Sequence, residues 1–404
     1  MRGSIDPVAR TRRVALHRLH VTIGRVSRSG GAFPDPRTFE QNTDAEQGHW
    51  YELARVSLQA GTARVRDDAD AALVDALRLA LVEDAAKVEA AVERAPSPFV
   101  ARHLWRIVDR VWRAPEHDGA ESIVPFAMPV VVVAGATGEM ETHVCAVLPD
   151  VQALVDCMRQ GQALRGNHML GFGHGLVSAS ALSISALARW RSLRAPGTNV
   201  AEAMAAALAP ADIPIRHGEF VHLRFLPGWA IAPRSVDLFA DRSVGKWAAG
   251  ATQELVRMLH CAHASVLALP RAPQTPLAAR HDGLTAQREV SAQLFASNAI
   301  RTVRASRGEP VAVISGHRAA DAPGGGELRL SISSPLEPRD AQGFRCPIQP
   351  IEPVSAPLSM LLDLLHDCRV TEVHLVAGVH PERGPRGMPL FFNRDTIPEG
   401  ALLQ

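Results

Sequence analysis

Two hydrophobic periods take turns along this chain, and their alternation constrains its fold more than any other feature. From Asp67 onward Leu73, Leu77, Leu81, Val88 and Val92 recur at helical spacing in Ala-rich sequence, the pattern of an amphipathic helix. Asp67, Asp68 and Asp70 lead it in, where the positive end of a helix dipole favours anions. Pro96 ends the run, and Phe99, Leu104, Ile107, Val108, Val111 and Trp112 resume it, so residues 67–113 read as a helical hairpin. The apolar run Val130 to Ala134 then reads as a buried strand.

The same alternation continues to the C-terminus. Asp150 to Gln160 and Asn199 to Leu208 have helical character, and residues 219–226 alternate like a strand up to a turn at Pro227-Gly228. Val244 to Leu267 reads as one long helix, and Arg271 to Asp282, with Pro273 and Pro276, as a linker. Beyond it come a helix at Leu284 to Val303, strands at Val311 to Ile314 and Glu327 to Ser333, a helix at Leu358 to Cys368 and a strand at Glu372 to Ala377. The proline-rich stretch Cys346 to Pro357 suits only an edge strand or a loop. The class is therefore mixed α/β (α+β), an N-terminal helical hairpin followed by one or two α/β domains. The expected division is a flexible basic arm at 1–48, an α/β domain at 49–270, a smaller α/β domain at 283–380 and a Gly/Pro-rich tail at 381–404.

With 404 residues and 47% hydrophobic composition, the chain is long enough to bury such cores. Its 43 Lys+Arg against 42 Asp+Glu exclude a polyanion-binding surface over the whole body. The neutral sum conceals an arm carrying Arg2, Arg10, Arg12, Arg13, Arg18, Arg25, Arg28 and Arg37 against Asp6 and Asp35. Such an arm either contacts nucleic-acid phosphates or stays solvated or docked on the acidic helix at 67–93. No aromatic interleaves its arginines before Phe33, which disfavours a stacking surface for single strands. Cys145, Cys157, Cys261, Cys346 and Cys368 form an odd, scattered set without C-x-x-C, as expected of reduced cytoplasmic thiols. The N-terminal arginines break any secretory apolar run, and the charge-free stretch Gly166 to Ala188 is too polar for a spanning helix. A cytoplasmic protein without a membrane partner is expected.

No motif names a reaction. Val130 to Gly138 places Gly135 and Gly138 after a strand, as in a dinucleotide-binding turn, but Glu141 occupies the third glycine position and, with Glu139, opposes an anionic ligand. A hairpin accounts for the same residues. Ser243-Val244-Gly245-Lys246 is an S-x-x-K arrangement in which the lysine would activate the serine; a capped helix start is the alternative. Only Lys87 and Lys246 are lysines, so none remains for the K-T-G strand of a penicillin-recognising enzyme. His260 and His263, three apart on the expected long helix, would share a face toward a metal, yet no third ligand is suggested by spacing. Gly171, Gly173 and Gly175 make either a ligand-approach loop or a tightly packed one.

The C-terminal segment Val370 to Val376, followed by Arg383-Gly384-Pro385-Arg386-Gly387-Met388-Pro389-Leu390-Phe391, resembles a family of uncharacterised bacterial proteins. In that family a similar helix and strand lead into C-x-x-C-G-x-P-L-[YF]. Here Arg383 and Arg386 replace the cysteines, so no metal or redox role of the knuckle carries over, and Gly387, Pro389 and Leu390 read as a structural turn. The family supplies no activity to transfer. The expectation is a binding or accessory module, with no cofactor and with a protein partner or self-association left open. The alternatives are a nucleotide-dependent enzyme using the Gly135 to Gly138 turn, and a nucleic-acid-associated protein using the arm.

Overall fold

The computed structural model describes residues 20–23, 45–113, 122–137, 142–165, 168–192, 199–216, 220–232, 238, 244–318, 326–335 and 341–376. In chain order the elements are β1 (His20–Ile23), α1 (Ala45–Gln59), α2 (Ala63–Glu83), α3 (Ala85–Glu93), α4 (Pro98–Arg113), β2 (Ser122–Ala136), β3 (Thr142–Val144) and α5 (Val151–Gln160). Then follow β4 (Met169–Phe172), α6 (Leu187–Ser192), α7 (Val200–Ala207), β5 (Ile213–Ile215), β6 (Val221–Ala232), α8 (Ala248–Met258) and β7 (Ala264–Pro270). The last are α9 (Pro276–Ala305), β8 (Val311–Arg318), β9 (Gly326–Ser333), β10 (Gln342–Ile348), α10 (Ser355–Asp367) and β11 (Glu372–Val376). The class is mixed α/β, in two compact units: 45–92 with 103–291, and 1–44 with 93–102 and 292–404. No helix among the described residues is long and apolar enough to cross a membrane.

The first unit is built on an antiparallel sheet of order β4-β6-β2-β7. Strand β2 runs against β6 from Ser122↔Ala232 to Val133↔Val221, and against β7 from Val130↔Pro270 to Ala136↔Ala264. Phe126, Met128, Val130, Val132 and Ala134 point into one core with Leu226 and Ala230, packed with Leu154 and Met158 of α5 and Ala251 and Leu255 of α8. Phe225 and Leu223, on the opposite face of β6, reach Gly283 of α9. A strand buried on both faces is apolar without alternation, which is why Val130 to Ala134 is legible as buried. A separate two-stranded ribbon, β3 with β5, lies apart from this sheet's ladder.

The second unit holds a mixed sheet of order β1-β11-β8-β9-β10, parallel from β1 through β8 and antiparallel from there to β10. Ala292, Ala296, Ala299, Ile300 and Val303 of α9 and Leu361 and Leu365 of α10 close over Ala312, Ile314, Leu328, Leu330, Ile332 and Val373. The proline-bearing β10 is the edge strand, where Pro347 forfeits least from its missing N–H. Helices α5, α9 and α10 end alike. Gln162, Arg307 and Arg369 have φ of 53°, 59° and 59°, and the next residue's N–H bonds back to Met158, Val303 or Leu365. This is a Schellman closure without glycine at the left-handed position.

Several elements depart from the sequence expectation. A further helix, α1, precedes the hairpin, and the hairpin's first arm breaks at Asp84, whose side chain accepts the N–H of Lys87. Pro227-Gly228 is no turn: both lie inside β6, and the Phe126 ring fills the space over Gly228, 2.5 Å from where a Cβ would stand. The expected helix from Val244 to Leu267 ends at Met258, because Ala264 to Pro270 add to β2 as β7. The expected linker is likewise ordered. Arg271 and Gln274 donate backbone N–H groups to Pro129 and Ala127, and α9 begins at Pro276.

Candidate functional site

Among the described residues, those singled out from sequence form no common site, although Thr137, two residues past Gly135, donates its N–H to the carbonyl of His263. Gly135 lies within β2, paired with Ser265, and among the described residues the next element is strand β3 and not a helix; Gly138 lies outside the described residues. The expected hairpin is not formed there either, since Thr142 to Val144 pair with β5 instead of β2. Lys246 ends an exposed 3₁₀ turn with its Nζ 3.5 Å from Gln162 Oε1, and Ser243 lies outside the described residues. His260 and His263 share no helix face. Both are exposed in the reversal between α8 and β7, made when β7 joins the sheet. Among the described residues no three His, Cys, Asp or Glu groups cluster to hold a metal.

Gly171, Gly173 and Gly175 are a packed segment. A Cβ at these positions would stand 2.5 Å from the Trp229 ring, 3.0 Å from Pro227 and 2.6 Å from Pro210. The arm's arginines, and Arg383, Arg386, Gly387, Pro389 and Leu390, lie outside the described residues; of the arm, the backbone of His20–Ile23 forms β1. All five cysteines are free thiols, with Cys145 exposed and Cys346 buried.

Three polar clusters in the first unit were invisible to motif reading, because their members come from helices and loops far apart in sequence. In one, Asp70 Oδ1 accepts Ser57 Oγ at 2.6 Å and lies 2.9 Å from His103 Nε2. Serine, histidine and aspartate are all present, but the hydroxyl is aimed at the carboxylate and not at the imidazole. A nucleophile needs the opposite order, hydroxyl to imidazole to carboxylate. Asp70 therefore joins α1, α2 and α4. In the second, Thr275 Oγ1 donates at 2.8 Å to buried Asp109, which also meets Arg113 Nη2 at 2.7 Å. The third is a relay of hydroxyls, with Ser183 Oγ 2.8 Å from Ser185 Oγ, which donates to Glu89 Oε2 at 2.5 Å. Arg280 Nη1 lies 3.6 Å from the other oxygen of Glu89. In β6, burial lowers the proton affinity of Arg224 against the opposing charge of Asp212, and its guanidinium donates to the carbonyls of Ala211, Asp212 and Leu223.

The second unit carries a polar assembly of a different kind. Every residue of β9 is buried, on both faces. Leu328, Leu330 and Ile332 enter the core, while Glu327, Arg329, Ser331 and Ser333 occupy the other face at 9%, 2%, 5% and 4% exposure. Register places Ser315 of β8 beside Arg329 on that face, and His374 of β11 in the same row as Ser331, across Val313. Arg329 donates from Nε and Nη2 to Glu327 Oε1, each at 2.5 Å. His374 Nε2 lies 2.9 Å from Glu372 Oε1, which orients the ring. Toward the edge, the same face continues on β10 with half-buried Gly343 opposite Ser331 and exposed Arg345 opposite Arg329. The face combines the Arg329 guanidinium held by Glu327, the hydroxyls of Ser315, Ser331 and Ser333 and the oriented His374 imidazole, with buried Val311 and Val313 of β8 set among them. No family model, curated protein or solved structure matches the chain.

Proposed function

We propose that this chain is a cytoplasmic binding module whose ligand seats on the polar face of β8, β9, β10 and β11. One observation carries the reading: β9 is buried on both faces, yet one of those faces is wholly polar. An alternating sequence such as Glu327 to Ser333 ordinarily belongs to a strand with one wet face. Withdrawing such groups from water costs about 1–3 kcal/mol each wherever a partner is lost. Departures of this kind from local sequence rules concentrate at functional sites. At the sheet edge the face borders exposed Arg345 of β10, the side from which a small polar molecule would approach. The site stands on strands, the rigid support that positions binding groups.

The test is a thermal-shift titration of the full chain with sugar phosphates, dicarboxylates, amino acids and nucleotides. A ligand at 100 times its Kd stabilises the folded state by about 2.7 kcal/mol. At least one class is expected to give a saturable shift that Ser331→Val removes. If none of the classes shifts the transition, or if the shift survives Ser331→Val, the face is not the ligand site.

A further inference from the structure

We infer that this chain pairs with a second copy of itself through the outer edge of β7, joining two four-stranded sheets into one. In the order β4-β6-β2-β7, strand β7 has β2 on one side and, among the described residues, no strand on the other. The bonds at the two ends of the β2–β7 ladder fix which backbone groups are already used. Arg271 donates its N–H to Pro129, and Thr137 donates its N–H to His263. Hydrogen-bonded and non-bonded pairs alternate along an antiparallel ladder. Ser265, Leu267 and Leu269 therefore bond to Gly135, Val133 and Val131, while the N–H and C=O groups of Val266 and Ala268 point away from β2. Ala134, which donates its N–H to Phe220, shows the matching half of the pattern: the even positions of β2 serve β6.

Such an edge is a template for another strand, and proteins that remain single guard it with charge, proline, a bulge or brevity. Two other edges follow that practice, since β10 carries Arg345 and Pro347 and β4 has four residues. Strand β7 has none of these devices. Its seven residues, Ala264–Pro270, hold no charged side chain, keep an unbroken register with β2 and place their one proline last. Leu267 is 45% exposed on the face turned away from the core of Val130, Val132 and Ala134, and the exposed Phe220 ring reaches that face beside Gly135. The occupant this edge fits is its own copy. Across a twofold axis at Leu267, each Val266 exchanges both N–H···O=C bonds with Ala268 of the second copy, and the two Leu267 residues meet as a non-bonded pair with Cα atoms about 4.5 Å apart. The ladder ends in step on both strands, because Pro270 has no N–H and the opposing Ala264 already donates its own to Cys261. A foreign strand finds no charge on this edge to select it, whereas a copy brings the matching leucine.

The experiment is sedimentation velocity of the full chain over a concentration series, with Leu267→Lys as the variant that guards the edge. Leu267→Cys and Ser265→Cys, both in a Cys145→Ser background, report the register. The parent is expected to pass from monomer to dimer as concentration rises. Leu267→Lys, whose position is exposed, is expected to keep the parent's far-ultraviolet circular dichroism and to raise the dimer dissociation constant at least tenfold. Oxidation is expected to cross-link Leu267→Cys, which lies opposite its own counterpart within disulfide reach, and not Ser265→Cys, which this register sets opposite Leu269 of the second copy. A parent that stays monomeric at every concentration overturns the inference, including one that binds an extended apolar peptide instead. So does a dimer equally tight in Leu267→Lys, or cross-linking of Ser265→Cys equal to that of Leu267→Cys.

Discussion

Gly283→Ala sets two effects of known size against each other. In the interior of a helix, alanine is preferred to glycine by about 1 kcal/mol, so the sequence of α9 alone would forecast stabilisation. The structure forecasts the reverse. A Cβ on Gly283 would stand 2.8 Å from Phe225 Cε1 and 3.0 Å from both Phe225 Cζ and Leu223 Cδ1. Carbon atoms rest at about 3.5–4.0 Å, so the new methyl is about 0.5–1 Å too close to each. Phe225 has no exposure, and its strand is held by β2 on one side and β4 on the other, so neither ring nor backbone has room to withdraw. Overpacking of this kind costs about 1–3 kcal/mol. Subtracting the propensity gain leaves a net loss of about 1 kcal/mol, a fall in Tm of about 2–4 °C for a unit of this size. Differential scanning calorimetry should show that fall for Gly283→Ala and none for Gly245→Ala, whose Cβ meets nothing within 4 Å. Shortening the obstacle with Phe225→Leu should make the double variant less damaged than the sum of the two singles. A rise in Tm for Gly283→Ala would refute the packing account.

Other outcomes follow from the same structure. Thr275→Val deprives buried Asp109 of a donor 2.8 Å away, and urea unfolding should show a loss of about 1–3 kcal/mol; a neutral result would mean that Arg113 alone satisfies the carboxylate. Arg369→Gly relieves a side chain held at φ 59° and should raise the melting temperature, by up to about 1 kcal/mol of stability, whereas a fall would show that the Arg369 side chain contributes more than the backbone strain removes. Burial, then Glu254 and Asp156, raise the pKa of the Cys157 thiol, so at a given pH it holds less thiolate than an unperturbed cysteine. Iodoacetamide followed by peptide mass spectrometry should label exposed Cys145 well before Cys157, and the Cys157 rate should keep climbing as the pH passes about 8.5, the ordinary thiol value; equal rates at neutral pH would contradict this.

Where one element's own side chains decide the outcome, its sequence suffices. Asp150 caps α5 with its side chain accepting the N–H of Ala153, and the helix appears where its apolar spacing places it. The same holds for the strand at Val130 and for the proline-bearing edge strand β10. Where two readings are locally equal, partners decide. Ala264 to Pro270 has the composition of a helix continuing from α8, but seven paired positions on β2 draw it into the sheet and pull His260 and His263 into an exposed reversal. Gly135 has the look of a phosphate turn, and the same ladder makes it an interior strand residue.

The candidate site divides in the same way. Alternation in Glu327 to Ser333 already marked a strand with one polar and one apolar face, since side chains on a strand must point alternately. That the polar face is also buried, that Arg345 stands opposite Arg329, and that His374 arrives in the row of Ser331 depend on strand order and register. Those are set by which hydrophobic surfaces close together between Val311 and Val376, a long-range free energy that no local spacing encodes. The sequence determined which segments form helices and strands wherever period and caps agree, and which polar groups share a face within one strand; packing alone decided which strands bring their polar faces together, and with it where a ligand can bind.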